Sequence, residues 1–185
     1  FLAWCFEFAR WHRDPGTFVS HLPIGLDGSC SGLQHFSAML RDEIGGKATN
    51  LTNSVVMQDI YQYVADAATK RMQADVPDAE GYRALWLKEG ITRKVTKRSV
   101  MTTPYGVTKR SAVKYVIEDY LKSNRAFDKK DNYGQAHYLM NYVWPAIGDV
   151  VVKGREAMAW LTNAAKAIVK LHTPEDEGVI SWVTP

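Results

Sequence analysis

The sequence is poor in cysteine, with only Cys5 and Cys30 among 185 residues. Neither lies in a Cys-x-x-Cys pair or at a zinc-type spacing from histidine, so no zinc site is expected. A disulfide framework is not expected either, which fits a reducing compartment. No apolar run approaches the roughly 20 residues that span a bilayer, and so no membrane partner is expected. Internal repeats and low-complexity tracts are missing. No signal-peptide pattern follows Phe1. Trp182-Val183-Thr184-Pro185 reads as a strand with nothing after it, so both ends read as cut and a piece of a longer protein is expected. One further lack is local. Between positions 93 and 114 stand Arg93, Lys94, Lys97, Arg98, Lys109, Arg110 and Lys114, without a single acid.

Hydrophobic residues make up 46% of the chain, which excludes a disordered polypeptide. The net charge of +3 permits a nucleic-acid partner without demanding one. Residues 1–12 pattern as an aromatic helix ended by Asp14-Pro15-Gly16. Leu22 to Leu26 reads as a short strand ending at Asp27. A helix follows to Leu40, with Ser29 or Ser31 as its cap, and Gly45-Gly46 is expected to break it. Asn53 or Ser54 then caps a long helix with Val56, Ile60, Val64, Ala67 and Ala68 at helical spacing.

Further along, Val76-Pro77-Asp78 reads as a loop and 82–88 as a short helix. Residues 91–105 form a basic helix stopped by Gly106. Val113, Val116, Ile117, Tyr120 and Leu121 make the apolar stripe of the next helix. Residues 122–133 read as a surface connection. Helices over 134–144 and 146–171 are expected on either side of Pro145. A turn over 173–178 and a strand over 179–184 close the chain. The fold class is mainly α with a few short strands (α+β).

Two constellations carry chemistry. Asp27 follows an apolar stretch and precedes Gly-Ser-Cys-Ser-Gly, so glycines let another group approach the backbone beside a carboxylate. A hard cation such as Mg²⁺ takes oxygen ligands, one or two carboxylates plus substrate phosphates. The Asp27 carboxylate and the Gly28 carbonyl could supply two adjacent oxygens. The plainer reading is that Asp27 caps a turn. His35, beside Phe36, reads as a packed, hydrogen-bonded side chain.

The second constellation is the basic helix. Arg93 and Lys97 are four apart and share a face. Tyr105 lies two such steps on, displaced ~80° around the axis from Lys97. Cations at the start and a ring at the end suit a nucleoside triphosphate lying along the helix. Pro104, costly in a helix interior, marks a helix end. The plainer reading is a solvated basic face with a buried tyrosine.

Together these residues resemble the single-subunit RNA polymerases of bacteriophages and, more distantly, of mitochondria. The sixteen-residue run Asp27-Gly-Ser-Cys-Ser-Gly-Leu-Gln-His-Phe-Ser-Ala-Met-Leu-Arg-Asp42 is similar to that family's motif A. Arg93-x-x-x-Lys97-Arg98-Ser-Val-Met-Thr-x-x-Tyr105-Gly106 is similar to motif B, a skeleton shared with family A DNA polymerases. Phe1-Leu-Ala, Gln58-Asp-Ile-Tyr61 and Trp182-Val-Thr-Pro185 agree with it. Two features favour RNA synthesis. No acid stands between Asp27 and Asp42, where those DNA polymerases carry a glutamate against the ribose 2′-OH. Met101 stands four after Lys97, where they place an aromatic residue.

The resemblance implies part of a right-hand polymerase: palm over 1–52, fingers over 53–133, and a helical segment returning towards the palm over 134–185. It implies that Asp27 ligates two catalytic Mg²⁺ ions and the Gly28 carbonyl one of them. Arg93, Lys97 and Arg98 would hold the triphosphate, Lys97 could protonate the leaving pyrophosphate, and Tyr105 would sense the ribose 2′-OH. The implied partners are template DNA, nascent RNA and NTPs, in a monomeric parent. The implied location is the cytoplasm of an infected bacterium, or alternatively a mitochondrion.

The departures from the pattern are Thr103-Pro104 before Tyr105, Ser181 before Trp182, and a short connection over 74–90. No His-Asp dipeptide occurs, so motif C and its second metal-binding aspartate are expected beyond Pro185. The promoter-binding domain and thumb are not represented, and the 185-residue piece alone is expected to be inactive. The rival readings are a family A DNA polymerase and a non-catalytic basic helical module that binds nucleic acid.

Overall fold

The computed structural model describes residues 1–25 and 27–171, the Leu171 side chain excepted. All regular structure among them is helical. Helix α1 covers Leu2–Arg13, α2 Ser31–Leu40, α3 Glu43–Ala48, α4 Ile60–Ala74 and α5 Tyr82–Glu89. Helix α6 covers Arg93–Thr102 and runs into a 3₁₀ turn at Thr103–Tyr105. Helix α7, Lys109–Val116, continues as a π turn over Ile117–Leu121. Helix α8 covers Asn132–Val150 and α9 Val152–Leu171.

The core forms where α4 crosses α8, with α6 and α7 closing it. Ile60, Val64, Ala68 and Met72 come from α4, and Leu139, Met140, Val143 and Ile147 from α8; all are buried at helical spacing. Val100 and Val113 complete it from α6 and α7. Trp86 of α5 is fully buried, its ring centroid 4.5 Å from that of Phe127 and 5.9 Å from that of Tyr120. Its indole N–H donates to the Gln135 carbonyl at 2.9 Å, so its polar end is satisfied. Trp86→Ala should cost about 3–5 kcal/mol of stability, and Trp86→Phe less. Urea denaturation monitored by far-UV circular dichroism checks this.

Several boundaries differ from the sequence reading, each for a local reason. Residues 22–25 carry no strand pairing: Leu22, Pro23 and Ile24 lie against α1, whose backbone groups are bonded within the helix and offer no ladder; Leu26 and the turn and strand expected over 173–184 lie outside the described residues. Gly45 and Gly46 do not break a helix but sit inside α3, capped by Asp42, whose carboxylate accepts from the Gly45 N–H at 3.1 Å. The break falls earlier, at Arg41 with φ 52°. A Cβ on Gly45 would stand 2.5 Å from the Ser37 Oγ, so glycine permits α3 to pack on α2.

Helix α4 begins at Ile60 rather than near Asn53, since Asp59 caps it by accepting from the Tyr61 and Gln62 N–H groups at 3.0 and 3.3 Å. Val56 is left exposed in the preceding loop. Pro145 lies inside α8. Its ring is on the exposed side, and the buried stripe through Ala146, Ile147 and Val150 carries the helix past it. The chain bends instead at Val151. His35 is exposed on α2, not packed.

Candidate nucleotide site

Asp27 stands in the segment that leads into α2. Cys30 takes a left-handed conformation, φ 65°, and turns the chain into the helix. Its carbonyl accepts from the Leu33 and Gln34 N–H groups at 3.0 and 3.1 Å. Gly28 leaves room for Gln34, because a Cβ there would meet the Gln34 Oε1 at 2.6 Å. Gln34 Nε2 in turn donates to the Thr49 carbonyl at 2.7 Å, which ties α2 to the end of α3 beneath the Asp27 segment. The Asp27 carboxylate is exposed and accepts from the Gly28 N–H at 2.8 Å through Oδ1. Sequence reasoning passed over Gln34, which lies inside the motif A run.

Helix α6 buries Val95, Thr96, Ser99 and Val100 and leaves Arg93, Lys97 and Met101 on another face. It is anchored where the Thr96 hydroxyl donates to the Tyr61 carbonyl at 2.7 Å. A cleft of about 360 Å³ separates this face from the Asp27 segment, and Asp27, Gly28, Cys30, Asp59, Arg93 and Lys97 border it. Its floor includes Cys30 and Tyr61, whose thiol and phenol are hydrogen-bonded. Burial pushes the pKa of both groups up from its ordinary value, so both are neutral around pH 7.

The three cations named from the sequence have different surroundings. Arg93 is paired with Asp59, Nε to Oδ2 at 2.6 Å, and its guanidinium lies 5.0 Å from the centre of the Tyr61 ring. Lys97 is exposed and has no hydrogen bond or ion pair among the described residues. Arg98 does not border the Asp27 cleft. It donates to Glu118 and Asp119 of the π turn at 3.1 and 3.0 Å and stacks 4.0 Å over Tyr115. At ~100° per residue, the step from Lys97 to Arg98 turns the side chain to the neighbouring face.

Tyr105 closes the 3₁₀ turn and is 70% exposed. Gly106 follows at φ 80°, its N–H bonded to the Thr103 carbonyl, so the helix ends where Pro104-Tyr105-Gly106 leads one to expect. The Tyr105 phenol lies against the backbone of α2. A Cβ on Gly32 would come 2.5 Å from its oxygen. The basic helix and the motif A segment therefore meet twice, across the cleft and at Tyr105. Asp59 is the cleft residue the sequence reading left without a role. Its signal was an acid directly before an apolar helical run, masked because Val56 extended the same periodicity upstream.

A carboxylate segment and a cationic helix thus border one cleft. The comparison with known proteins is more specific. The family model described as DNA-dependent RNA polymerase matches residues 1–185, and the chain belongs to that family. It is 38% identical over 220 residues to T7 RNA polymerase of Escherichia phage T7, covering all of this chain and 25% of the relative. It is 37% identical over 222 residues to the DNA-directed RNA polymerase of Enterobacteria phage K11, again over all of this chain and 24% of the relative. Against the mitochondrial DNA-directed RNA polymerase of Mus musculus it is 38% identical over 187 residues, all of this chain and 15% of the relative. The chain thus spans about a quarter of the length of its phage relatives.

Proposed function

We propose that the full-length polymerase carrying this chain catalyses template-directed transfer of nucleotides from NTPs to an RNA 3′ end, and that this chain supplies one side of the nucleotide site. The observation that carries the reading is that Asp27 and Lys97 border the same cleft. In this reading residues 1–52 belong to the palm and 53–133 to the fingers, with the following helices running back towards the palm. Template DNA and nascent RNA are the macromolecular partners.

The donor chemistry at Asp27 fits Mg²⁺. The carboxylate is exposed, its Oδ2 has no protein partner among the described residues, and the adjacent peptide carbonyl of Gly28 is a second hard oxygen. Asp27 and Gly28 would hold the metal, with the remaining ligands drawn from substrate and from an aspartate in another part of the polymerase. Bound there, Mg²⁺ would supply Lewis acidity at the α-phosphate and charge neutralisation at the leaving pyrophosphate. Lys97 supplies a compact, uncompensated charge for the triphosphate, and Arg93 a planar fork of donors. Arg98, tied through Nη1 to Glu118 and Asp119 and turned away from the Asp27 cleft, would join them by a rearrangement that fits a fingers helix moving between open and closed states. In this reading Tyr105, whose phenol lies against α2, senses the sugar.

The test is extension of an RNA primer on a DNA template by the full-length polymerase, with rNTPs or dNTPs. RNA synthesis with strong preference for rNTPs is the expected result; preference for dNTPs would move the protein to the DNA polymerase reading. Tyr105→Phe should keep synthesis and reduce the rNTP preference about tenfold, the size of one hydrogen bond's net worth.

A further inference from the structure

Arg93 is not a free surface cation. Asp59 occupies its Nε, and the two oxygens of Asp59 have separate tasks. Oδ1 accepts from the Tyr61 and Gln62 N–H groups at the start of α4, while Oδ2 accepts from Arg93 Nε at 2.6 Å. The carboxylate is therefore immobilised by one helix while it grips the first residue of another. Tyr61, buried and itself anchored through its carbonyl to Thr96, provides an aromatic surface 5.0 Å from the guanidinium. The terminal amino nitrogens of Arg93 have no partner among the described residues, so four of its five N–H donors remain for an oxyanion.

A guanidinium held through Nε with its fork unspent is preorganised for two parallel hydrogen bonds to phosphate oxygens. The entropy of arranging a long side chain is then lost on folding, not on binding. Resting on the nucleotide-site reading above, we infer that Asp59 is the positioning residue for the phosphate-binding arginine, acting on the NTP through Arg93. The alternative carries the opposite sign. A carboxylate in a cleft that receives a triphosphate repels it, and if repulsion were its main effect its removal would tighten binding.

The experiment uses the full-length polymerase with Asp59→Asn, Arg93→Ala and both together, assayed for NTP KM and kcat in primer extension. Asparagine remains a good helix cap, so α4 keeps its start, and an unchanged melting temperature verifies the fold. The expected result is a KM for NTP raised roughly 3- to 30-fold, the range of couplings between contacting residues, with a smaller change in kcat. In the Arg93→Ala background, Asp59→Asn should add no further rise. A lowered or unchanged KM overturns the inference, as does a rise that multiplies with that of Arg93→Ala. RNA synthesis by the unaltered enzyme with a normal Asp59→Asn variant defeats this inference alone. Absence of RNA synthesis by the unaltered enzyme defeats the functional reading and this inference with it.

Discussion

Asp27→Ala in the full-length polymerase is expected to lower nucleotide incorporation by more than about 10³-fold, beyond the 10–100-fold typical of partners one step removed from a metal. The Asp27 side chain does little in the fold. It is exposed, and its one protein contact is the N–H of the next residue. Removing such a group changes stability by no more than about 0.5 kcal/mol, so the loss has to come from the chemistry. Asp27→Asn sharpens the test. It keeps an oxygen for the Gly28 N–H and nearly the same volume, but loses the charge that a hard cation needs. Both variants should melt within about 2 °C of the parent and fail equally in primer extension. Raising Mg²⁺ should restore little. An Asp27→Asn enzyme with more than a tenth of parental activity would return Asp27 to the role of a turn residue.

The second large effect is expected at Lys97. Of the three motif B cations, Arg93 and Arg98 already have carboxylate partners, and their fields are partly cancelled. Lys97 is the uncompensated one among the described residues bordering the Asp27 cleft. Its charge is available to whatever enters, and charge development on a leaving pyrophosphate is where a fixed cation acts most strongly. Lys97→Ala should reduce kcat/KM for NTP by about 10²–10³-fold, with most of the loss in kcat. Lys97→Arg should recover part of it, because charge is kept while the compact ammonium geometry is not. The same substitution should leave folding intact, since the buried face of α6 is Val95, Thr96, Ser99 and Val100. Unchanged kinetics would mark Lys97 as a solvated surface charge.

Much of this was legible in the order of residues. The aromatic first helix, the short helix after Pro77, the basic helix ending at Tyr105-Gly106 and the stripe from Val113 to Leu121 all follow from spacing and stop signals that act within a few residues. Two of the misreadings share one cause. Gly45-Gly46 and Pro145 are helix breakers by intrinsic preference, and in each case a packing gain outweighed it: α3 settling on α2 over Gly45, and a buried stripe carrying α8 past Pro145. Val56 keeps helical spacing with Ile60, but Asp59 caps the helix between them. His35 shows the limit of a local environment, since an apolar neighbour in sequence does not put a side chain on the buried face.

The chemical inventory was thus written in the chain itself: an acid beside glycine at 27–28, cations at 93, 97 and 98, an aromatic ring at 105, and a family pattern that two short motifs suffice to carry. The partnerships among them were not. Asp59 and Arg93 are 34 positions apart, and Arg98 and Glu118 are 20 apart. Which cation is tied and which is free depends on how α4, α6 and α7 pack, and packing is a long-range property that no local spacing encodes. Charge and residue type are set by sequence; whether a charge is spent inside the protein or kept for a ligand is set by the neighbours that folding brings to it.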